Sequence, residues 1–191
     1  MKSLIFVIVS LFIITLSATQ PFGFSKGMTY EELKSIDPEI INQSDDLYIV
    51  KPPKPSPLFD LYAVRVHKIG GLYYVKALSE IDTNIYGMNL KSSYNKIVDG
   101  VIDKYGEPEG NIDMLLPGSI WDEPQDYMMS LLKEERYVIT EWNSLALKDF
   151  GLKKILMNMS AFSKNDGVIT LGYYFEGFEK FSEDGKDKTQ W

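Results

Sequence analysis

The chain contains no cysteine. That absence removes disulfides, cysteine-ligated zinc, iron–sulfur clusters and thiol nucleophiles together. It also excludes a lipid anchor on a cysteine at the start of a mature chain. A stable fold must then come from a hydrophobic core alone. The length permits this, because chains of ~150 residues bury about 70% of their unfolded surface.

The first residues make the constraint sharper. "MKSLIFVIVSLFIITLSATQ" has one cation, Lys2, then an uncharged apolar run from Leu4 to Leu16, then Ser17, Ala18 and Thr19. This is the order of a secretory signal peptide. The run is shorter than the ~20 residues a spanning helix needs. Cleavage after Ala18 is expected, with residues 1–18 as signal peptide and the mature protein exported to a bacterial periplasm or medium. Small exported domains commonly rely on disulfides, and this one cannot.

The net charge is −7. An acidic protein repels phosphate backbones and anionic lipid surfaces, so no nucleic acid is expected as partner. No second long apolar segment follows the first, so no stable membrane insertion after signal cleavage is expected. The expected partner is another envelope or secreted protein.

A faint internal echo bears on the architecture. Phe22-Gly23 precedes Tyr86-Gly87 by the same 64 positions that separate Tyr30 from Tyr94 and Leu33 from Ile97. "GMTYEELKSI" reads as a short helix with a capping box between Thr29 and Glu32. "LYIV" reads as a strand. Lys51–Pro57, with its prolines, is a stiff extended connection. "FDLYAVRVH" and "LYYVKALSE" form a hairpin. The second half opens with a helix whose apolar stripe runs through Leu90, Tyr94, Ile97, Val98, Val101, Ile102 and Tyr105, and which Gly106 and Pro108 stop. A further helix lies within "WDEPQDYMMSLLKEER", with Asp122 as cap and Gln125 as its N3 partner, burying Met128, Leu131 and Leu132. "YVITEW", "KKILMNMSAF" and "GVITLGYYF" follow as strands. The last two are joined by "SKNDG", a turn suited to positive φ.

The predicted fold class is therefore α+β. Two similar helix-then-antiparallel-sheet units are expected, at 19–84 and 85–181, with helices packed on one sheet face and a polar tail at 182–191. Each unit is read as about three strands, and the two second-half helices as consecutive.

"FGFSKGMTYEEL", "YGMNLKSSYNKIVDGVIDKYGEP", "GSIWDEPQDYMMSLLKEER" and "ITLGYYFEGFEKF" resemble a family of small exported bacterial proteins with no assigned activity. The resemblance runs over most of the mature chain and implies no catalytic residues. In architecture the helix-then-sheet tandem resembles the β-lactamase inhibitor protein. "GMTYEEL" is similar to the helix start of the small lipoprotein of the outer-membrane barrel-assembly machine, whose cysteine this chain lacks.

Little catalytic chemistry is available. His67 is the single histidine, so no site can use two histidine ligands, and a serine triad would need His67 as base. Its place at a strand end beside Lys68 reads as a surface histidine. No G-x-S-x-G elbow, P-loop or G-x-G-x-x-G occurs. No cofactor and no metal are expected; "SKNDG" and "EIDTN" lack the ligand spacing of a calcium loop.

Two readings of function follow. The first is a non-enzymatic protein-binding or inhibitor-like module. Its candidate contacts are Trp121, Tyr73, Tyr74, Tyr173 and Tyr174, because alternation sends one tyrosine of each pair to the face away from the core. The second is a carboxylate-dependent hydrolase of wall or glycan substrates, using Asp122, Glu123 and Asp126 beside Trp121. Such a site needs two carboxyls about 5–10 Å apart in a cleft. The same carboxylates also suit a helix's first turn, where they complement its dipole.

Overall fold

The computed structural model describes residues 20–182. The expected signal peptide and nearly all of the polar tail lie outside the described residues.

The first helix, α1 (Tyr30–Ile36), begins at the expected capping box. Glu32 N–H donates to Thr29 Oγ1 at 3.2 Å, and Thr29 N–H donates to Glu32 Oε2 at 2.7 Å. Thr29 N–H, together with the Thr29 hydroxyl at 3.0 Å, donates to the Glu32 carboxyl and holds it below its ordinary pKa. Four strands follow: β1 (Ile41–Asn42), β2 (Leu47–Ile49), β3 (Leu61–His67) and β4 (Gly71–Asp82). Lys51–Pro57 contains neither helix nor strand, as its prolines require.

Then comes the long helix α2 (Met88–Tyr105), strand β5 (Gly110–Leu115), the short helix α3 (Tyr127–Leu132), strands β6 (Arg136–Trp142), β7 (Leu152–Ala161) and β8 (Asp166–Phe175), and a last helix, α4 (Phe178–Ser182). The expected three strands per half are thus four. β1 and β5 are the additions, and β5 separates two helices expected to be consecutive.

All eight strands form one antiparallel sheet in the order β1-β2-β3-β4-β8-β7-β6-β5. The first four strands fill one side and the last four the other. They meet at β4 and β8, which pair from Tyr74↔Tyr174 to Asp82↔Asp166. From β4 the chain passes through α2 to the far edge, then winds back inward, so β5 ends at the border of the sheet.

Of the stripe expected on α2, Leu90, Tyr94, Ile97, Val101 and Tyr105 are buried, and Val98 and Ile102 pack half-buried beside them. They share one core with Val64, Val75, Val138, Met157, Ile169 and Tyr173 from the strands. Leu90 reaches β8 because Gly167 has no side chain; a Cβ there would lie 2.5 Å from Leu90 Cδ2. Tyr94 Oη is 2.8 Å from Thr140 Oγ1 on β6. Burial pushes the Tyr94 phenol up to about 12. Trp142 Nε1–H donates to Gly106 O at 2.8 Å, holding β6 to the end of α2.

Three local expectations are corrected. Asp122 does not cap a helix: Pro124–Asp126 is a 3-10 turn, α3 begins only at Tyr127, and neither has a side-chain cap. Pro124 supplies the fixed φ of the turn's first residue, and the α-helix starts at Tyr127, four residues after the Glu123 that a cap at Asp122 implies. In "SKNDG" no residue takes a positive φ. Ser163 Oγ instead accepts from the N–H groups of Asn165 and Asp166, both at 3.0 Å, and a serine hydroxyl can close such a turn in ordinary backbone conformations. The 64-residue echo aligns Gly23 with Gly87, both at positive φ, but sets the start of α1 against the middle of α2.

Candidate binding surface

The tyrosine pairs sit at the centre of the sheet. Tyr173 points into the core, with its ring centroid 5.9 Å from Tyr105 and 5.8 Å from Phe22. Burial raises the pKa of its phenol well above the ordinary value. Tyr174, its neighbour, lies on the opposite face and is half-buried. That is the alternation a strand imposes.

Tyr73 and Tyr74 break it. The β3–β4 register pairs Arg65 with Tyr74 and Val66 with Leu72, leaving Tyr73 as the extra residue of a bulge. Both rings then lie on the face opposite α2. Each touches Phe178 of α4, at 5.6 and 6.2 Å, and Tyr174 meets the same ring at 4.7 Å. Phe181 adds contacts to Tyr73 at 5.7 Å and to the His67 ring at 4.7 Å. The central aromatic patch is therefore covered by α4, and Tyr73 and Tyr74 are both buried.

Beneath α4, Asp46 joins the loop before β2 to this cluster. Arg65 Nη1 lies 2.7 Å from Asp46 Oδ1, and Tyr73 Oη–H donates to Asp46 Oδ2. Burial, together with that bond, raises the Tyr73 pKa. His67 closes the β3–β4 turn: its Nδ1 accepts from Ile69 N–H at 3.2 Å and Gly70 N–H at 3.1 Å. It is half-buried under Phe181 rather than a bare surface residue.

The acidic segment is a surface loop. Trp121 is half-buried, and its N–H donates to Ser119 Oγ at 3.1 Å. Asp122 and Glu123 are exposed and Asp126 is half-buried. Among the described residues none of these three carboxylates takes a side-chain hydrogen bond or an ion pair. Two cavities stand out, of about 520 and 260 Å³. The larger opens between the proline connection and β1–β2; the smaller lies between β4 and α2. Neither is lined by the Trp121 segment. Among the described residues no cluster of carboxylates and histidine has the arrangement of a metal site, and no helix is long and apolar enough to cross a membrane.

A different surface carries the exposed apolar side chains. On β5, Ile112 and Met114 stand directly opposite Ile139 and Tyr137 of β6. All four share the face away from the core, and Ile112, Met114 and Tyr137 are 48%, 47% and 39% exposed. Leu116 and Ile120, which follow the strand in sequence, are also exposed, at 37% and 75%. The core-side face of the same strands is polar at its rim. There Arg136 Nη1 lies 2.5 Å from Asp113 Oδ1 and its Nε–H donates to Ser130 Oγ at 3.1 Å. Lys91 Nζ sits 3.4 Å from the Tyr127 ring centre, and its pKa is lowered by burial and by Arg136.

Sequence reasoning missed this surface because β5 was not recognised. The signal was the alternation of Ile112 and Met114 with polar residues between Pro108 and Pro117. Comparison with models of protein families, with curated proteins and with solved structures returns no match to this chain.

Proposed function

We propose that this protein is an exported, non-enzymatic protein-binding module of inhibitor-like character, acting in a bacterial periplasm or medium. One observation carries the reading: the apolar face of β5 and β6 is open to solvent, while the aromatic face at the sheet centre is closed by α4. Contiguous exposed apolar surface on a soluble domain favours protein contact. The polar chemistry of the chain is otherwise spent on structure, as in the Asp46–Arg65–Tyr73 cluster and the turn made by His67.

The same proposal includes the kinship with small exported bacterial proteins and a construction from two related helix-and-sheet units, of which Gly23 and Gly87 are corresponding points. It places the signal peptide at 1–18. No comparable observation favours the hydrolase reading, since Asp122, Glu123 and Asp126 lie on an open loop.

The test is a pull-down with the tagged mature chain, Thr19–Trp191, from the envelope and culture medium of the source organism, read by mass spectrometry. One partner at near-stoichiometric yield is the expected result. A blank that persists after chemical crosslinking counts against the reading. Wall and glycan substrates offered to the wild type and to the double variant Asp122→Asn, Glu123→Gln then test the hydrolase.

A further inference from the structure

β5 borders the sheet. Leu116 N–H donates to Glu135 O at 2.7 Å, one step beyond the Leu115↔Arg136 pair. In an antiparallel ladder, paired and unpaired residues alternate. Gly110, Ile112 and Met114 therefore turn their N–H and C=O toward β6. Asn111, Asp113 and Leu115 turn theirs outward, where no further strand lies among the described residues.

Natural edge strands are blunted by extreme shortness, charged side chains (lysine above all), proline, bulges or a covering element. The opposite edge obeys this, since β1 has two residues. β5 has six, contains neither proline nor lysine, and pairs with β6 in unbroken register. The one charge on β5, Asp113, is paired with Arg136 of β6. One face of the edge is apolar, through Ile112 and Met114. The other carries Asn111 and Asp113, whose carboxylate remains 49% exposed beside Arg136.

The sequence around the strand is predominantly acidic, although Arg136 of β6 pairs with Asp113. From Glu107 to Glu135 the sequence holds eight carboxylates and one cation, Lys133. Glu107 and Glu109 precede the strand, and Asp122 and Glu123 lie on the loop after it; all four are exposed.

We infer that β5 is a strand-addition site for an extended segment of another protein in which apolar residues alternate with lysine or arginine. This rests on the protein-binding reading above and names its site and partner chemistry. The added strand completes the outward ladder of Asn111, Asp113 and Leu115. Its apolar side extends the surface of Ile112 and Met114, and its cations lie beside Asp113 and the acidic flanks. A second copy of this chain fits poorly. Pairing β5 with itself on a shared face sets Asp113 against Asp113, Asn111 or Leu115, and in every register brings two acidic flanks together.

The probe is a fluorescent peptide, Lys-Val-Lys-Val-Lys-Val-Lys, titrated into the full mature chain and read by anisotropy. Controls are the Glu-Val counterpart and a block-ordered peptide of the same composition. Saturable binding of the alternating cationic peptide alone is expected, weakening about tenfold or more in 0.5 M salt. Amide exchange at Asp113 and Leu115 should slow on binding. Asn111→Pro removes an outward N–H without touching the β6 ladder, and should weaken binding about tenfold; Ile112→Lys, which adds a like charge, should do the same. Circular dichroism establishes that each variant is folded, and the wild-type exchange data stand without either.

Equal binding of the block-ordered peptide, unchanged exchange at Asp113 and Leu115, or a dimer in sedimentation that Asn111→Pro dissociates would overturn the inference. A native partner captured equally by wild type and both variants also overturns it, and leaves the protein-binding reading standing. Capture of nothing by any of them, with no peptide bound, removes both.

Discussion

Raising the pH should unfold this protein through its buried tyrosines. Tyr73, Tyr94, Tyr105, Tyr127 and Tyr173 are all buried, and burial is the leading cause that raises each phenol above the ordinary value of 10.0. Only Tyr94 stays as low as about 12. Below pH 10 each phenol is neutral in both states, and nothing is lost. Above pH 10 the unfolded chain releases these protons while the native state keeps them. The unfolded state then binds fewer protons, and stability falls as pH rises.

For one phenol with an unfolded value of 10, the loss is about 0.4 kcal/mol at pH 10, 0.8 at pH 10.5 and 1.4 at pH 11. Five such groups lose roughly 2, 4 and 7 kcal/mol at those pH values. A domain of ordinary stability has about 5–15 kcal/mol to lose, so unfolding should set in above about pH 10.5. Lys76, Lys91 and Lys104 act the other way. Burial lowers their pKa values, so in the alkaline range the native state binds fewer of their protons than the unfolded chain does, which returns stability. They offset part of the tyrosine losses, while Tyr48 and Tyr62, also raised chiefly by burial, add to them.

Urea unfolding at pH 8, 10 and 10.5, followed by circular dichroism, measures the slope. Absorbance at 295 nm counts the tyrosines ionised, and the native protein should show fewer than its twelve until it unfolds. Tyr105→Phe should remove about one fifth of the slope. Stability unchanged to pH 10.5, or all twelve phenols ionising in a chain with native circular dichroism, would refute the burial of these rings.

Other perturbations separate structural roles from exposed ones. Trp142→Phe should cost about 2–4 kcal/mol in urea titration, because it opens a cavity and strands the Gly106 carbonyl. Asp122→Asn with Glu123→Gln should shift the urea midpoint by less than about 0.5 kcal/mol, since neither side chain caps a helix. Thr29→Ala should cost about 1 kcal/mol, because its hydroxyl does cap one. Phe178→Ser with Phe181→Ser should raise binding of an apolar dye by uncovering Tyr73, Tyr74 and Tyr174, and an unchanged dye signal would mean that α4 does not close that face.

What the sequence made legible is what is periodic and local. The α2 stripe from Leu90 to Tyr105 follows the 3.6-residue period and is the face that is buried. The Thr29–Glu32 box is a four-residue pattern and forms as written. The hairpin strands β3, β4, β7 and β8 carry the β-branched and aromatic residues that favour a pleated surface. The features that decide the surface were not local. β5 is rich in residues that disfavour strands, Gly110, Asn111 and Asp113, and exists because β6 offers it a ladder. Its flanking prolines mark where a strand could begin and end, but not that a neighbour would be there.

The bulge at Tyr73 matters in the opposite direction. Alternation assigns Tyr73 and Tyr74 to opposite faces, and no residue of "GLYYVKAL" announces the extra position that puts both under α4. The only advance sign of that cover is Phe178 and Phe181, three apart just after β8. A stretch of paired aromatics in a strand is thus weak ground for a binding surface until the ends of the chain are placed. Here α4 closes the aromatic face, and the exposed apolar surface lies on an edge strand whose own composition argues against it. Partner recognition at such an edge draws on outward N–H groups and the sign of the surrounding charge as well as on Ile112 and Met114, so a strand weak in β-forming residues can still offer a binding edge.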